Sequence, residues 1–152
     1  MIRLIISDCD GVLTDGKLYY GAEGEVLKVF NVKDGTAIKA LMSEGVKFGV
    51  VSGRGSAALL RRAEELGLDF CQMNIGDKAE AVAALREQYG VAVHETLFVG
   101  DDTNDCVVRS ECGHLFAVND AAQALLEICD VQLKTKGGAG VFKEVLKRIH
   151  GN

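Results

Sequence analysis

Asp8 and Asp10 stand two residues apart in the stretch RLIISDCDGVLTDG, directly after a short apolar run and just ahead of Gly11 and a further acid at Asp15. At that spacing both carboxylates fall on one side of an extended chain, where their charges repel unless a cation lies between them. One or two carboxylates, with water and a substrate phosphate completing an octahedron, are the usual way of holding Mg2+. A carboxylate is also able to attack phosphorus and form an aspartyl-phosphate. The other groups such chemistry needs follow in order: Ser52 in SGR, Lys78 in GDK, and the acid-rich GDDTND from Gly100 to Asp105. Ser52 offers a hydrogen bond and Lys78 a positive charge to the equatorial oxygens of a transferring phosphoryl group.

These residues meet only if the elements before them end at one edge. Apolar, β-branched runs at RLII, Val46–Val51, Thr96–Gly100 and His114–Val118 have the length of buried strands. Helix-period segments alternate with them. Ile38, Leu41 and Met42 share one face, as do Leu59, Leu60, Ala63 and Leu66, then Ala79, Val82, Leu85 and Tyr89, and finally Val141, Val145, Leu146 and Ile149. Strand and helix in repeated alternation predict an α/β fold: a doubly wound, Rossmann-like parallel sheet with right-handed crossovers and helices on both faces. In such a sheet the functional crevice lies beyond the carboxyl ends of the strands, where strand order reverses. Asp8, Asp10, Ser52 and the Gly100–Asp105 acids all follow strands there. The segment Lys17–Gly35 departs from the alternation, with β-rich arms around Gly21–Gly24, and reads as a hairpin insertion over about residues 17–30.

Composition narrows the function classes. The chain of 152 residues is 48% hydrophobic and 26% charged, the make-up of one globular domain spanning 1–152. Its net charge of -5 comes without any block of Lys or Arg, so no nucleic-acid or membrane surface is expected. Five cysteines, an odd number without CxxC spacing, read as reduced thiols and point to a cytoplasmic setting. Neither a leader-like N-terminus nor an apolar run of about 20 residues is present, which suggests a soluble, unexported chain. Cys9, between the two acids, faces away from them by strand alternation and reads as core.

The four segments DCDGVLTDG, SGR, DK and GDDTND, in that order, resemble the signatures of the haloacid-dehalogenase-like phosphatase superfamily. The fuller context, with FNVKDG, RRAEELG and a closing GGAGVFKE, is similar to its branch acting on 3-deoxy-D-manno-octulosonate 8-phosphate and on related nine-carbon acid 9-phosphates, including N-acylneuraminate 9-phosphate. The resemblance implies Asp8 as nucleophile, Asp10 as general acid and base, Ser52 as phosphate-binding hydroxyl and Lys78 as the charge-neutralising lysine. It implies Mg2+ held by Asp8, Asp101 and the backbone carbonyl of Asp10, with Asp102 and Asp105 orienting that shell. Lys33, Gly53, Arg54, Arg62, Asn104 and Gly138 are the implied contacts to a small-molecule sugar-acid phosphate. A homotetramer is implied as well, its hairpins helping to close sites that no cap domain covers. Ser52 stands in place of the commoner threonine, Thr36 and Ala37 in place of a frequent second glycine, and Lys143 in place of a common arginine; the last two departures fall where the sugar is expected.

Each feature also has a plainer reading. DxDG alone occurs in ordinary turns, GDD is a helix cap as readily as a metal site, and a lysine at a helix start is usually solvated. Arg61 and Arg62 cannot face one partner from a helix, so one of them is expected in solvent. Lys134–Gly140 is either a connector or a loop near substrate. A signalling receiver domain also carries acids, a hydroxyl and a lysine, but there the phospho-acceptor ends the third strand and the acids are adjacent. A catalytically idle oligomerisation module is the other alternative, and it is at odds with a complete set of signature residues.

Overall fold

The structure, a computed structural model, describes residues 1–151. In chain order its elements are β1 (Leu4–Ser7), β2 (Tyr19–Gly21), β3 (Gly24–Leu27), α1 (Val32–Ser43), β4 (Lys47–Val51), α2 (Ala57–Leu66) and β5 (Phe70–Gln72). These are followed by α3 (Lys78–Tyr89), β6 (Thr96–Gly100), a 3-10 segment (Thr103–Glu111), β7 (His114–Ala117), α4 (Gln123–Ile128), β8 (Val131–Gln132) and α5 (Val141–Ile149). Six strands form one parallel sheet in the order β5-β4-β1-β6-β7-β8. β1 therefore sits between two flanks: the chain first builds β4 and β5 on one side, then crosses to build β6, β7 and β8 on the other. The strand carrying Asp8 and Asp10 lies at that reversal.

Apolar content explains the placement. β1, β6 and most of β4 are buried on both faces, as near-continuous runs of Leu, Ile, Val and Phe require. On one face α1 packs on α5 and α2; on the other α3 packs on the 3-10 segment, which packs on α4. Phe48 of β4 and Phe142 of α5 meet edge to face at 5.0 Å, joining the sheet to its last helix. The helix ends follow local chemistry. Ser56 accepts the Leu59 N–H at 3.1 Å to start α2, and Gly67 ends it in the left-handed region, where only glycine is unstrained. Asp77 accepts from the Glu80 N–H to start α3, which fixes Lys78 as its first residue.

The periodicity is corrected in places. Leu60 is 42% exposed rather than on the buried face of α2, and Met42, Ala79, Tyr89, Leu146 and Ile149 are only half-buried. The hairpin's strands pair from Tyr19 to Leu27, inside the expected 17–30, with an irregularity between Tyr19 and Tyr20. It forms a sheet of its own and leaves Leu18, Tyr20, Val26, Leu27 and Val29 exposed. No helix among the described residues is long and apolar enough to cross a membrane.

Candidate active site

The crevice is built at the carboxyl end of β1. The Asp8 N–H donates to the Val99 carbonyl at 3.0 Å, extending the β1–β6 ladder by one residue. The chain then turns: the N–H groups of Val12, Leu13 and Thr14 all point to the Cys9 carbonyl, and the Thr14 hydroxyl accepts from the Gly11 and Gly16 N–H groups. Gly11 has φ +87°, and a Cβ there would lie 1.8 Å from Asp101 Oδ2. Backbone and carboxylate pass so closely that only glycine fits. Cys9 is fully buried, and burial first, then the Asp10 charge, pushes its thiol far up; it is core, as the alternation predicted, and inert.

Three carboxylates, from Asp8, Asp101 and Asp105, bring oxygens within 4.8 Å of one another. Lys78, 3% exposed, is the cation among them, with Nζ 2.7 Å from Asp105 Oδ1 and 3.1 Å from Asp8 Oδ1. Burial lowers its pKa, but Asp8 and Asp105 outweigh that and hold the ammonium charged. Asp105 is spoken for: besides Lys78 it accepts from the Asp101 N–H at 3.0 Å and the Asp102 N–H at 3.3 Å, which pins the start of the 3-10 segment. Asp8 and Asp101 are left as an under-neutralised pair. Both carboxyls are pushed up, by burial first; the Asp105 charge adds for Asp8, while Asp8 adds most for Asp101. Hard oxygen donors with excess negative charge fit a divalent cation, which would remove this repulsion.

The remaining predicted residues divide. Asp10, Ser52, Gly53, Arg54, Asp102 and Asn104 line the same crevice of about 210 Å3 with Asp8, Lys78 and Asp101. Ser52 is 2% exposed, and its hydroxyl accepts from the Arg54 N–H at 3.2 Å. Asp102 also caps the 3-10 segment through the Thr103 N–H, as the plainer reading of GDD expects. Arg62 lines a neighbouring cleft of about 340 Å3, where it pairs with Glu65 at 2.7 Å and lies near the Phe30 ring, while Arg61 is exposed. Lys33 is not brought to the crevice; it lines a separate basic cavity with Lys134, Lys143 and Lys147. Gly138 braces the first loop, donating to the Val12 carbonyl and accepting from Asn31 Nδ2, so the tail touches the site through that loop.

One residue escaped the sequence. Lys28 reaches from the hairpin with Nζ 2.6 Å from Asp10 Oδ1 and 3.0 Å from Glu25 Oε2. The available signal was a lysine set inside an apolar arm, VLKVF.

A parallel α/β sheet with this acid cluster and lysine at its point of strand reversal defines a haloacid dehalogenase-like hydrolase, and that family matches residues 73–145. The 3-deoxy-D-manno-octulosonate 8-phosphate phosphatase of Haemophilus influenzae is 42% identical over 148 residues, covering 97% of this chain and 82% of its own. The same phosphatase of Escherichia coli K12 is 35% identical over 95% of this chain and 77% of its own. The cobalt-bound Haemophilus influenzae structure superposes with TM-score 0.95 at 41% identity, covering 99% of this chain and 88% of that one. The Moraxella catarrhalis structure, in complex with magnesium ion, phosphate ion and KDO, gives 0.94 at 32% identity, covering 99% and 86%. The chain belongs to the haloacid dehalogenase-like hydrolases, in the branch of the 3-deoxy-D-manno-octulosonate 8-phosphate phosphatases. It is a phosphatase, and its acid cluster has the donors to hold a metal ion.

Proposed function

We propose that the chain hydrolyses 3-deoxy-D-manno-octulosonate 8-phosphate to the free sugar acid and inorganic phosphate by way of an aspartyl-phosphate. The observation that carries this is the Asp8–Asp101 pair, whose charge Lys78 alone does not neutralise, in a crevice that Ser52 and Asp10 also line. Asp8 attacks phosphorus, and the bond from phosphorus to the sugar oxygen breaks as the new bond forms. Asp10 gives its proton to the departing alkoxide, then takes one from the water that attacks the aspartyl-phosphate, which restores both carboxyl groups. Lys78 and Ser52 hold the equatorial oxygens throughout. Asp8, Asp101 and the Asp10 carbonyl would hold Mg2+, which when bound would supply charge stabilisation to the phosphoryl oxygens. Asp105 keeps Lys78 and the Asp101 backbone in place.

Gly53, Arg54 and Asn104 are the sugar contacts inside the crevice, and Arg62, one cleft away, meets the far end of a long substrate. The chain acts as a single domain in the cytoplasm, and as a homotetramer built on the apolar hairpin surface of Tyr20, Val26 and Val29. The deciding experiment is turnover, side by side with Mg2+, of the eight-carbon 8-phosphate and of the nine-carbon 9-phosphates, N-acylneuraminate 9-phosphate among them. At least tenfold higher kcat/KM on the eight-carbon substrate is expected; the reverse order overturns the assignment and places the enzyme with the sialic-acid-type phosphatases.

A further inference from the structure

We propose that Lys28 is a positioning residue for Asp10: it grips one oxygen of that carboxylate, leaves the other to face the reacting bond, and so makes seating of the hairpin a condition for proton transfer. The inference rests on Asp10 acting as general acid and base. Asp10 Oδ1 takes the lysine at 2.6 Å, and Asp10 Oδ2 has no hydrogen-bond partner among the described residues. The lysine is a built feature rather than a surface contact. Its side chain is 5% exposed, and it is held at its far side by Glu25 Oε2 at 3.0 Å. Glu25 Oε1 in turn accepts from the Ser56 hydroxyl at 3.2 Å, and that hydroxyl caps α2. A polar line thus runs from the start of α2, through the hairpin, to the proton-transferring carboxylate.

Two facts set this apart from a phosphate-binding role. Lys28 is already shared by two carboxylates, and it lines the cleft of Phe30 and Arg62 rather than the crevice of Asp8 and Ser52. The hairpin's strands pair only with each other, and its side-chain hydrogen bonds to the rest of the domain are Lys28–Asp10, Glu25–Ser56 and a longer Tyr19–Asp15 contact at 3.3 Å, beside the packing of Phe30 near Arg62. An ion pair with its lysine enclosed and its carboxylates partly buried holds geometry, because removing one partner leaves the other without its counter-charge. Whatever moves the hairpin therefore moves Asp10.

The test compares Lys28→Met, Lys28→Arg, Asp10→Asn and the Lys28→Met/Asp10→Asn double variant of the full chain with Mg2+. The first-turnover rate is read on the sugar-acid phosphate, whose alkoxide needs a proton, and on p-nitrophenyl phosphate, whose leaving group does not. Lys28→Met is expected to slow the sugar ester about ten- to a hundredfold, within the range a general acid contributes, and the aryl ester less than about threefold. Lys28→Arg recovers most of the loss, and the double variant is no slower on the sugar ester than Asp10→Asn alone. Equal losses on both esters, or additive losses in the double variant, overturn the proposal. If Asp10→Asn itself slows both esters equally, the general-acid assignment fails, and additivity alone then decides whether Lys28 acts through Asp10. Should Lys28→Met not fold, Glu25→Ala, which removes the lysine's far anchor, is read by the same criteria.

Discussion

Asp8 and Asp10 are neighbours with different surroundings, and the difference fixes what each loss does. Asp8 is 6% exposed and tied to Lys78; Asp10 is half-buried and tied to Lys28. Asp8→Asn removes the attacking carboxylate, so no ester of any kind should turn over. Asp10→Asn should keep its Mg2+ affinity, since the proposed ligand from that residue is a backbone carbonyl. With p-nitrophenyl phosphate it should show a burst of nitrophenol and then a slow steady rate, while sugar-ester turnover falls roughly 10² to 10⁴ without a burst. Quench-flow on both esters checks this, and loss of Mg2+ affinity in Asp10→Asn would make the two acids simple co-ligands. A third acid bears on stability instead. Asp34 is 3% exposed; its Oδ1 accepts from the Phe142 N–H at 2.9 Å and its Oδ2 has no partner. Burial pushes its pKa up to about 6 against that hydrogen bond and the Arg62 charge. The folded chain thus holds this proton more tightly than the unfolded one, so the contribution is full below about pH 4 and is lost as pH rises through 6. Asp34→Asn should therefore stabilise the protein at pH 7.5 by on the order of 2 kcal/mol, an advantage that shrinks toward pH 4.5 in urea melts; an advantage that grows on acidification would contradict it.

Among the elements, the loop after β1 is held by Gly11 against Asp101. Gly11→Ala forces a Cβ into that carboxylate and a side chain into the left-handed region. We expect it to weaken Mg2+ binding at least tenfold by calorimetry while far-ultraviolet circular dichroism is unchanged; wild-type affinity would show that the loop gives way freely. Elements of this kind were legible in the sequence to the extent that one rule decided them. β1, β4, β6 and β7 are short, mostly apolar runs, and α2 and α3 follow from helical periodicity. Asp8, Ser52, Lys78 and Asp101 converge because each lies at a strand end or a helix start, which sequence order reveals. Residues placed by tertiary register were not legible. Lys28 depends on how the hairpin folds over Asp10, and Lys33 is turned toward α5 by the first turn of α1. The start of Thr103–Glu111 is pinned by Asp105 through the Asp101 and Asp102 N–H groups, a contact no residue pattern announces, and β8 is two residues long, too short for a pattern.

For the molecule as a whole, the proposed function makes activity depend on metal and assembly. Chelation should abolish turnover and Mg2+ restore it, and Mg2+ should raise the melting temperature, because it binds the folded acid cluster alone. Ca2+ should inhibit, its looser and larger shell misplacing the attacking oxygen. Full activity after exhaustive chelation would remove the mechanism. Deleting Tyr19–Val29 strips the exposed apolar hairpin together with Lys28, and sedimentation should show a smaller species with little sugar-phosphate activity; an active monomer would separate the hairpin from both roles. The position of β1 between β4 and β6 also has a consequence for biosynthesis. The strand leaves the ribosome ahead of both its partners, which lie at residues 47–51 and 96–100. Its catalytic end closes only once Lys78, Asp101 and Asp105 have followed. Until then the nascent chain carries an apolar strand with an unpaired edge, exposed to premature pairing with other chains. The acid cluster thus cannot assemble until residue 105 has been made, and a chain truncated before it lacks the carboxylate that holds Lys78 and the Asp101 backbone.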